Sequence, residues 1–235
     1  MPEFERRERP VEAPNDFHCP VTLVLDVSGS MNIPTKSGKS RIQEVNDGIN
    51  RMMEDMKNDL KLGSIVDLSI ITFGDPGAEG VYQEFCAVKD IKPVELTAES
   101  SSTHAVKALQ LAMENTRSRR KSYGVPPYKP WVVLVTDGEL HDTEAEIDAL
   151  AAEVDEQEKA GKLHVWCFGT PDFNPNQLGK FSHFVFEIVN YNFADFFAWM
   201  ANSIASMSNA VVPGQTVDIM TDPGVIRQVP ITVTT

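Results

Sequence analysis

The chain has 235 residues, of which 42% are hydrophobic, and this is enough for one large domain with a substantial core. Its formal net charge of −13 opposes binding to nucleic acid or to an anionic membrane, so we expect neither as a partner. Cys19, Cys86 and Cys167 lie far apart, which indicates free core thiols and excludes a disulfide framework. With no secretory leader and no apolar run of about 18 residues, the chain is expected to be cytoplasmic.

Three regions follow one another along the chain. Residues 1–17 are polar and contain three prolines, which predicts a flexible N-terminal lead-in. In residues 18–210 apolar strands alternate with amphipathic helices, and this order predicts an α/β domain with a doubly wound, mostly parallel sheet flanked by helices. Residues 211–235 mix prolines with Val, Ile and Thr, and they are predicted to form an edge strand or an extended arm.

The elements of the central region are predicted from the period of their apolar residues. Runs of β-branched and apolar residues predict strands at 21–25, 65–73, 81–88, 131–135, 163–168 and 184–189. Apolar residues three and four positions apart predict helices at 41–61, 105–119, 142–162 and 193–207. In the first of these helices the predicted buried stripe extends to Leu60.

Oxygen-bearing side chains stand where two of the buried strands end. Asp26, Ser28 and Ser30 follow the strand at 21–25, and Asp137 follows the strand at 131–135. Thr103 stands just before a predicted helix. Because parallel strands direct their carboxyl ends to one edge of the sheet, these side chains are expected to converge there. Hydroxyl and carboxylate oxygens suit a hard cation, and the sequence therefore predicts a site for Mg²⁺, with Mn²⁺ or Ca²⁺ as alternatives.

These motifs resemble the metal-ion-dependent adhesion site of von Willebrand factor A domains, which combines DxSxS, a downstream Thr and an Asp after a later strand. The resemblance covers approximately residues 19–207. The stretches VTLVLDVSGSM, IQEVNDGINRMMEDMKND and FADFFAWMANSIASMS are further similar to the bacterial tellurium-resistance-associated group of these proteins. The resemblance implies that Asp26, Ser28, Ser30, Thr103 and Asp137 hold the metal. It also implies a cytoplasmic protein of stress-response or phage-defence gene clusters.

The leading hypothesis is a metal-dependent protein-interaction module, and not an enzyme. A protein partner would donate an Asp or Glu carboxylate to a vacant position on the cation. The main alternative is a magnesium-dependent, phosphatase-like hydrolase with Asp26 as nucleophile, but Ser28 stands where such an enzyme needs a second acid. Another alternative is a scaffold without metal, because single Ser, Thr and Asp residues at strand ends often only cap helices or form turns.

Overall fold

The computed structural model describes residues 6–210 and 221–229, and over these residues it confirms the predicted α/β fold. None of the helices in these two segments is long and apolar enough to cross a bilayer. The strands are β1 (Cys19–Asp26), β2 (Val66–Phe73), β3 (Gly80–Ala87), β4 (Trp131–Thr136), β5 (His164–Gly169), β6 (Val185–Ile188) and β7 (Ile226–Gln228). The helices are α1 (Arg41–Asn58), α2 (Leu62–Ile65), α3 (Val106–Lys121), α4 (Glu144–Lys159), α5 (Pro175–Phe181) and α6 (Phe193–Ala210).

The strands form a single sheet in the order β3-β2-β1-β4-β5-β6-β7. Strands β2, β1, β4, β5 and β6 are parallel to one another, while β3 and β7 run antiparallel at the two edges. The chain leaves β1 towards β2 on one side and later returns to place β4 on the other side. The order of the sheet therefore reverses between β1 and β4, and in such sheets ligands bind at the carboxyl ends of the two strands that flank the reversal.

Each face of the sheet is covered by a layer of helices. Alternate residues of a strand point to opposite faces, so Leu23 and Leu25 of β1 pack with the helices α1 and α6, while Val24 packs with α3 and α4. Because both faces are buried, the central strands contain continuous apolar runs instead of alternating patterns. The two free thiols in strands β1 and β5, Cys19 and Cys167, are buried, as the sequence predicted.

The first predicted helix is shorter than its apolar pattern suggests. Helix α1 ends at Asn58, because Asp59 adopts an extended backbone and its carboxylate accepts hydrogen bonds from the N–H groups of Lys61 and Leu62. The chain then starts the short helix α2. The prediction that Leu60 belongs to the buried stripe is wrong, since this residue is 92% exposed at the turn.

The two ends of the chain contact the domain where the structure describes them. Arg9 N–H donates a hydrogen bond to the carbonyl of Phe85, and the Arg119 side chain donates to the Arg9 carbonyl at 2.6 Å. At the other end, β7 pairs with β6. The predicted bounds of the lead-in (1–17), the domain (18–210) and the C-terminal extension (211–235) remain predictions, and most of the extension lies outside the described residues.

Candidate metal centre

Asp26 is the last residue of the central strand β1, and its carboxylate is completely buried at the carboxyl end of this strand. Its Oδ1 accepts a hydrogen bond from the backbone N–H of Ser28 at 2.8 Å, and its Oδ2 accepts one from the hydroxyl of Thr136 at 2.6 Å. Burial raises the pKa of Asp26 to about 6, although these hydrogen bonds act in the opposite direction. The carboxylate is thus held in one orientation and is destabilised as an anion.

The two predicted serine ligands face each other beyond the end of β1. The Oγ atoms of Ser28 and Ser30 are 3.0 Å apart, and the Ser30 hydroxyl donates a hydrogen bond to Asp137 Oδ1 at 2.6 Å. Oxygen ligands about 2.1 Å from a magnesium ion lie about 3.0 Å apart along the edge of its octahedron. The separation of the serine hydroxyls therefore fits two adjacent positions around such an ion.

Thr103 lies in a loop that is fastened to the serine loop. The backbone N–H of Gly29 donates to the Ser100 carbonyl at 2.7 Å, which ties the two loops together three residues before Thr103. The backbone of Thr103 exchanges hydrogen bonds with His141, through Nδ1 at 3.0 Å and the N–H at 2.8 Å. Thr103 is only 5% exposed, yet none of the hydrogen bonds formed by the described residues uses its hydroxyl.

A glycine allows the Thr103 loop to approach the end of β2. A Cβ atom on Gly74 would lie 2.1 Å from Oγ of Ser100, so no other residue fits without displacing the loop. Next to it, Asp75 Oδ1 accepts hydrogen bonds from the hydroxyl groups of Ser101 and Ser102, each at 2.8 Å. Strand β2 and its turn therefore fix the segment that carries Thr103.

The structure thus joins four of the five predicted residues through hydrogen bonds and places the fifth in an adjoining loop. Asp26, Ser28, Ser30 and Asp137 form one connected cluster, and Thr103 makes no hydrogen bond to them. Within residues 6–210 and 221–229, no group of three or more His, Cys, Asp and Glu side chains could hold a metal. A cation at this edge would consequently depend on hydroxyl as well as carboxylate oxygens, a donor set that suits a hard ion.

Sequence reasoning missed a basic residue beside the cluster. Arg41, the first residue of α1, donates a hydrogen bond from Nη1 to Asp137 Oδ2 at 2.7 Å and another from Nη2 to Asp172 Oδ2 at 2.8 Å. Its guanidinium also stacks on the ring of Tyr191, 4.5 Å from the centroid. A cation at the start of a helix is opposed by the helix dipole, and this was the one signal in the sequence that pointed to a tertiary partner.

The fold and the cluster define an α/β domain with a hydroxyl-rich site at the topological switch point of its sheet. The sequence model of the von Willebrand factor type A domain matches residues 21–139, a span that contains all five predicted site residues. The chain belongs to this family. No curated protein sequence matches the chain significantly.

Solved structures with von Willebrand A folds resemble the chain at low sequence identity. The vWF domain of the type V pili tip protein Mfa5 from Porphyromonas gingivalis has 12% identity and a TM-score of 0.61, covering 80% of this chain and 95% of that one. The pilus adhesin SpaC from Lactobacillus rhamnosus GG has 14% identity and a TM-score of 0.61, over 81% and 31%. Proximal thread matrix protein 1 from the mussel byssus, with a zinc-occupied metal-ion-dependent adhesion site (MIDAS) motif, has 16% identity and a TM-score of 0.56. The match covers 79% of this chain and 46% of that one.

These identities are low, so the likeness shows the shared fold. The chain spans less than half the length of the SpaC and mussel proteins. What those proteins bind or assemble with is therefore said of those proteins, and not of this chain.

Proposed function

We propose that this chain is a protein-interaction module that binds an acidic side chain of its partner through a divalent cation, with Mg²⁺ as the resident ion. The residues that hold the cation are Asp26, Ser28, Ser30, Thr103 and Asp137. The bound ion supplies an electrophilic position for a carboxylate oxygen. The observation that carries this proposal is the 3.0 Å separation of the two serine hydroxyls beside Asp137.

The chain's own residues prepare this position. Asp26 fixes the turn of the serine loop by accepting the Ser28 N–H, and Asp137 orients the Ser30 hydroxyl. Neutral hydroxyl oxygens donate less charge than carboxylates, so a cation that they hold remains able to accept an anionic ligand. The partner is accordingly a protein that presents an Asp or Glu.

The hydrolase alternative finds no support in the surroundings of Asp26. A carboxylate nucleophile must reach its substrate, but both Asp26 oxygens accept hydrogen bonds and the residue is completely buried. A separate cleft of about 950 Å³ lies between α4 and α5, and its lining includes Asp148, Asp155 and Lys180 but none of the five proposed ligands. We therefore propose a binding protein without catalytic activity.

The cellular setting is also a proposal. Free thiols persist in reducing compartments, and all three cysteines are buried and unpaired, which favours the cytoplasm. The sequence stretches similar to the tellurium-resistance-associated group favour a bacterial stress-response or phage-defence system. A fractionation of the native host with an antibody against the chain tests this placement, and recovery in the membrane or secreted fraction contradicts it.

Calorimetric titration with Mg²⁺ tests the metal site. Ser28→Ala and Asp26→Asn are expected to weaken binding by on the order of tenfold or more, because each removes a ligand or the group that orients one. Ser37→Ala is the matched control, since this serine belongs to the same loop but bonds with Thr35 and Glu44 instead of the cluster. Equal affinity of all four proteins would refute the site.

The partner is tested by affinity capture in the presence of Mg²⁺ and again with a chelator. A protein that binds wild type only with Mg²⁺, and that is lost with Ser28→Ala, supports the proposed module. Retention by the Ser28→Ala protein, or in chelator, shows that the interaction does not use the cation.

A further inference from the structure

Arg41 places a fixed positive charge next to the proposed metal centre. Its guanidinium bridges two carboxylates, that of Asp137 inside the cluster and that of Asp172 on the loop after β5. Arg41 is 6% exposed, whereas the Asp172 side chain is 58% exposed. Arg41 thus faces the cluster with one nitrogen and approaches the surface with the other.

The guanidinium is held on three sides. Tyr191 packs against its face, and the Tyr191 hydroxyl donates a hydrogen bond at 2.6 Å to the same Asp172 oxygen that Arg41 contacts. Asn190 and Tyr191 both have left-handed backbone conformations, with φ of 55° and 58°, which non-glycine residues seldom adopt. Such a conformation persists only where the surrounding contacts impose it, and the contacts of Tyr191 with Arg41 and Asp172 are among those contacts.

The charge of Arg41 affects how strongly the site binds a divalent cation. Among the buried groups, Asp26 and Asp137 together carry −2 when ionised, and Arg41 brings this buried sum to −1 without a metal. Asp172 adds a negative charge on the outer side of Arg41, but its side chain is 58% exposed, so water screens it. A divalent cation then changes the sum to +1, whereas the same site without Arg41 would become neutral. Like charges repel strongly where water is excluded, so Arg41 opposes the metal and leaves an excess positive charge that an anionic ligand removes.

We propose that Arg41 sets the metal affinity of this site and makes metal binding depend on the partner's carboxylate. This inference rests on the proposed metal-dependent function. Arg41 neutralises Asp137 in the empty site, so that the domain folds without a cation. The cation is then held weakly until an acidic side chain compensates the charge, which links loading of the site to partner binding.

The affinity for Mg²⁺ of two Arg41 variants, measured by calorimetry in chloride buffer, tests the proposal. Arg41→Gln keeps a hydrogen-bond donor but removes the charge, and it is expected to bind Mg²⁺ on the order of tenfold more tightly than wild type. Arg41→Lys keeps the charge and is expected to bind like wild type. Asp172→Asn is the control for the outer contact: it removes no positive charge, so its affinity for Mg²⁺ should not exceed that of wild type and should stay below that of Arg41→Gln.

A merely structural role for Arg41 gives the opposite sign. If Arg41 served only to orient Asp137, Arg41→Gln would bind Mg²⁺ equally or more weakly than wild type, and either result overturns the proposal. Asp26→Asn separates this failure from that of the proposed function. If wild type binds Mg²⁺ and Asp26→Asn does not, the metal site stands whatever Arg41 does; if the two proteins titrate alike, the proposed function fails and this inference fails with it.

A second measurement needs no Arg41 variant and applies even if Arg41→Gln does not fold. Sodium acetate serves as a simple carboxylate probe, compared with sodium chloride at equal pH and ionic strength and corrected for the acetate that binds free Mg²⁺. Wild type is expected to bind Mg²⁺ several-fold more tightly in acetate, because the carboxylate offsets the excess charge. Equal affinity in the two salts overturns the proposed dependence.

Discussion

Replacing Asp26 with asparagine separates the effect of a buried charge from the effect of a bound cation. The pKa of Asp26 is raised from 3.8 to about 6, so the unfolded chain loses its proton at a lower pH than the folded domain does. The contribution of Asp26 to stability is therefore fully present below the unfolded pKa and is lost as the pH rises through the folded pKa. A shift of this size corresponds to about 3 kcal/mol at neutral pH.

Without metal, Asp26→Asn is expected to be more stable than wild type at neutral pH. The asparagine oxygen can still accept the Ser28 N–H, and its amide can donate to the Thr136 hydroxyl, which reverses its role. We expect a gain of about 1–3 kcal/mol at about pH 7.5 that vanishes near about pH 4, where Asp26 of wild type is protonated. Urea denaturation in EDTA measures this difference at both pH values.

Magnesium is expected to shift the difference in stability towards wild type by about 1.3 kcal/mol or more. At a Mg²⁺ concentration about a hundred times the dissociation constant of wild type, wild type gains about 2.7 kcal/mol of stability, whereas a variant that binds tenfold more weakly gains about 1.4 kcal/mol. Asp55→Asn, at an exposed position of α1, controls for the general effect of removing a charge. The reasoning is refuted if Asp26→Asn is less stable than wild type in EDTA by the same amount at both pH values.

Three further predictions concern buried groups of the domain. Thr136→Val removes the hydroxyl that bonds to the buried Asp26 carboxylate, and chemical denaturation should show a loss of about 1–3 kcal/mol at neutral pH; an unchanged midpoint would contradict the role of this hydrogen bond. Gly48→Ala places a Cβ 2.5 Å from the Phe197 ring and 3.1 Å from a backbone oxygen of α6, so we expect a loss of about 1–3 kcal/mol, whereas Gly63→Ala meets only ordinary contacts and should change little. Because burial raises the pKa of all three cysteine thiols, the folded protein should resist a thiol reagent that reacts with all three in urea; rapid reaction of the folded protein would show that the thiols are accessible.

The central strands and the edge that carries the site could be predicted because their signals are local. A strand buried on both faces is a continuous apolar run, and the runs ending at Asp26 and Thr136 are of this kind. The start of α4 also has a local signal, since Thr143 and Glu146 form a capping box and the helix begins two residues after its predicted start at 142. Once both strands are known to be parallel, the convergence of Asp26 and Asp137 follows from topology alone.

Features that depend on contacts between distant segments could not be predicted. Helix α5 has only seven residues and contains a glycine, so its apolar residues are too few to show a helical period in the sequence. The ion pairs of Arg41 require the start of α1 to meet loops 96 and 131 residues further along the chain. A cation at a helix start indicates that a partner exists, but it does not indicate which carboxylates those are. The same holds for the bond between Thr136 and Asp26, although Thr136 adjoins a predicted ligand.

The measurement that tests the account most directly is anomalous diffraction from crystals soaked with Mn²⁺, an ion that accepts the same oxygen ligands as Mg²⁺. The account predicts a peak in coordination contact with the hydroxyls of Ser28 and Ser30, and a clearly weaker peak in crystals of Ser28→Ala soaked at the same Mn²⁺ concentration. Manganese bound away from these two serines, or bound equally well in the variant, would contradict it.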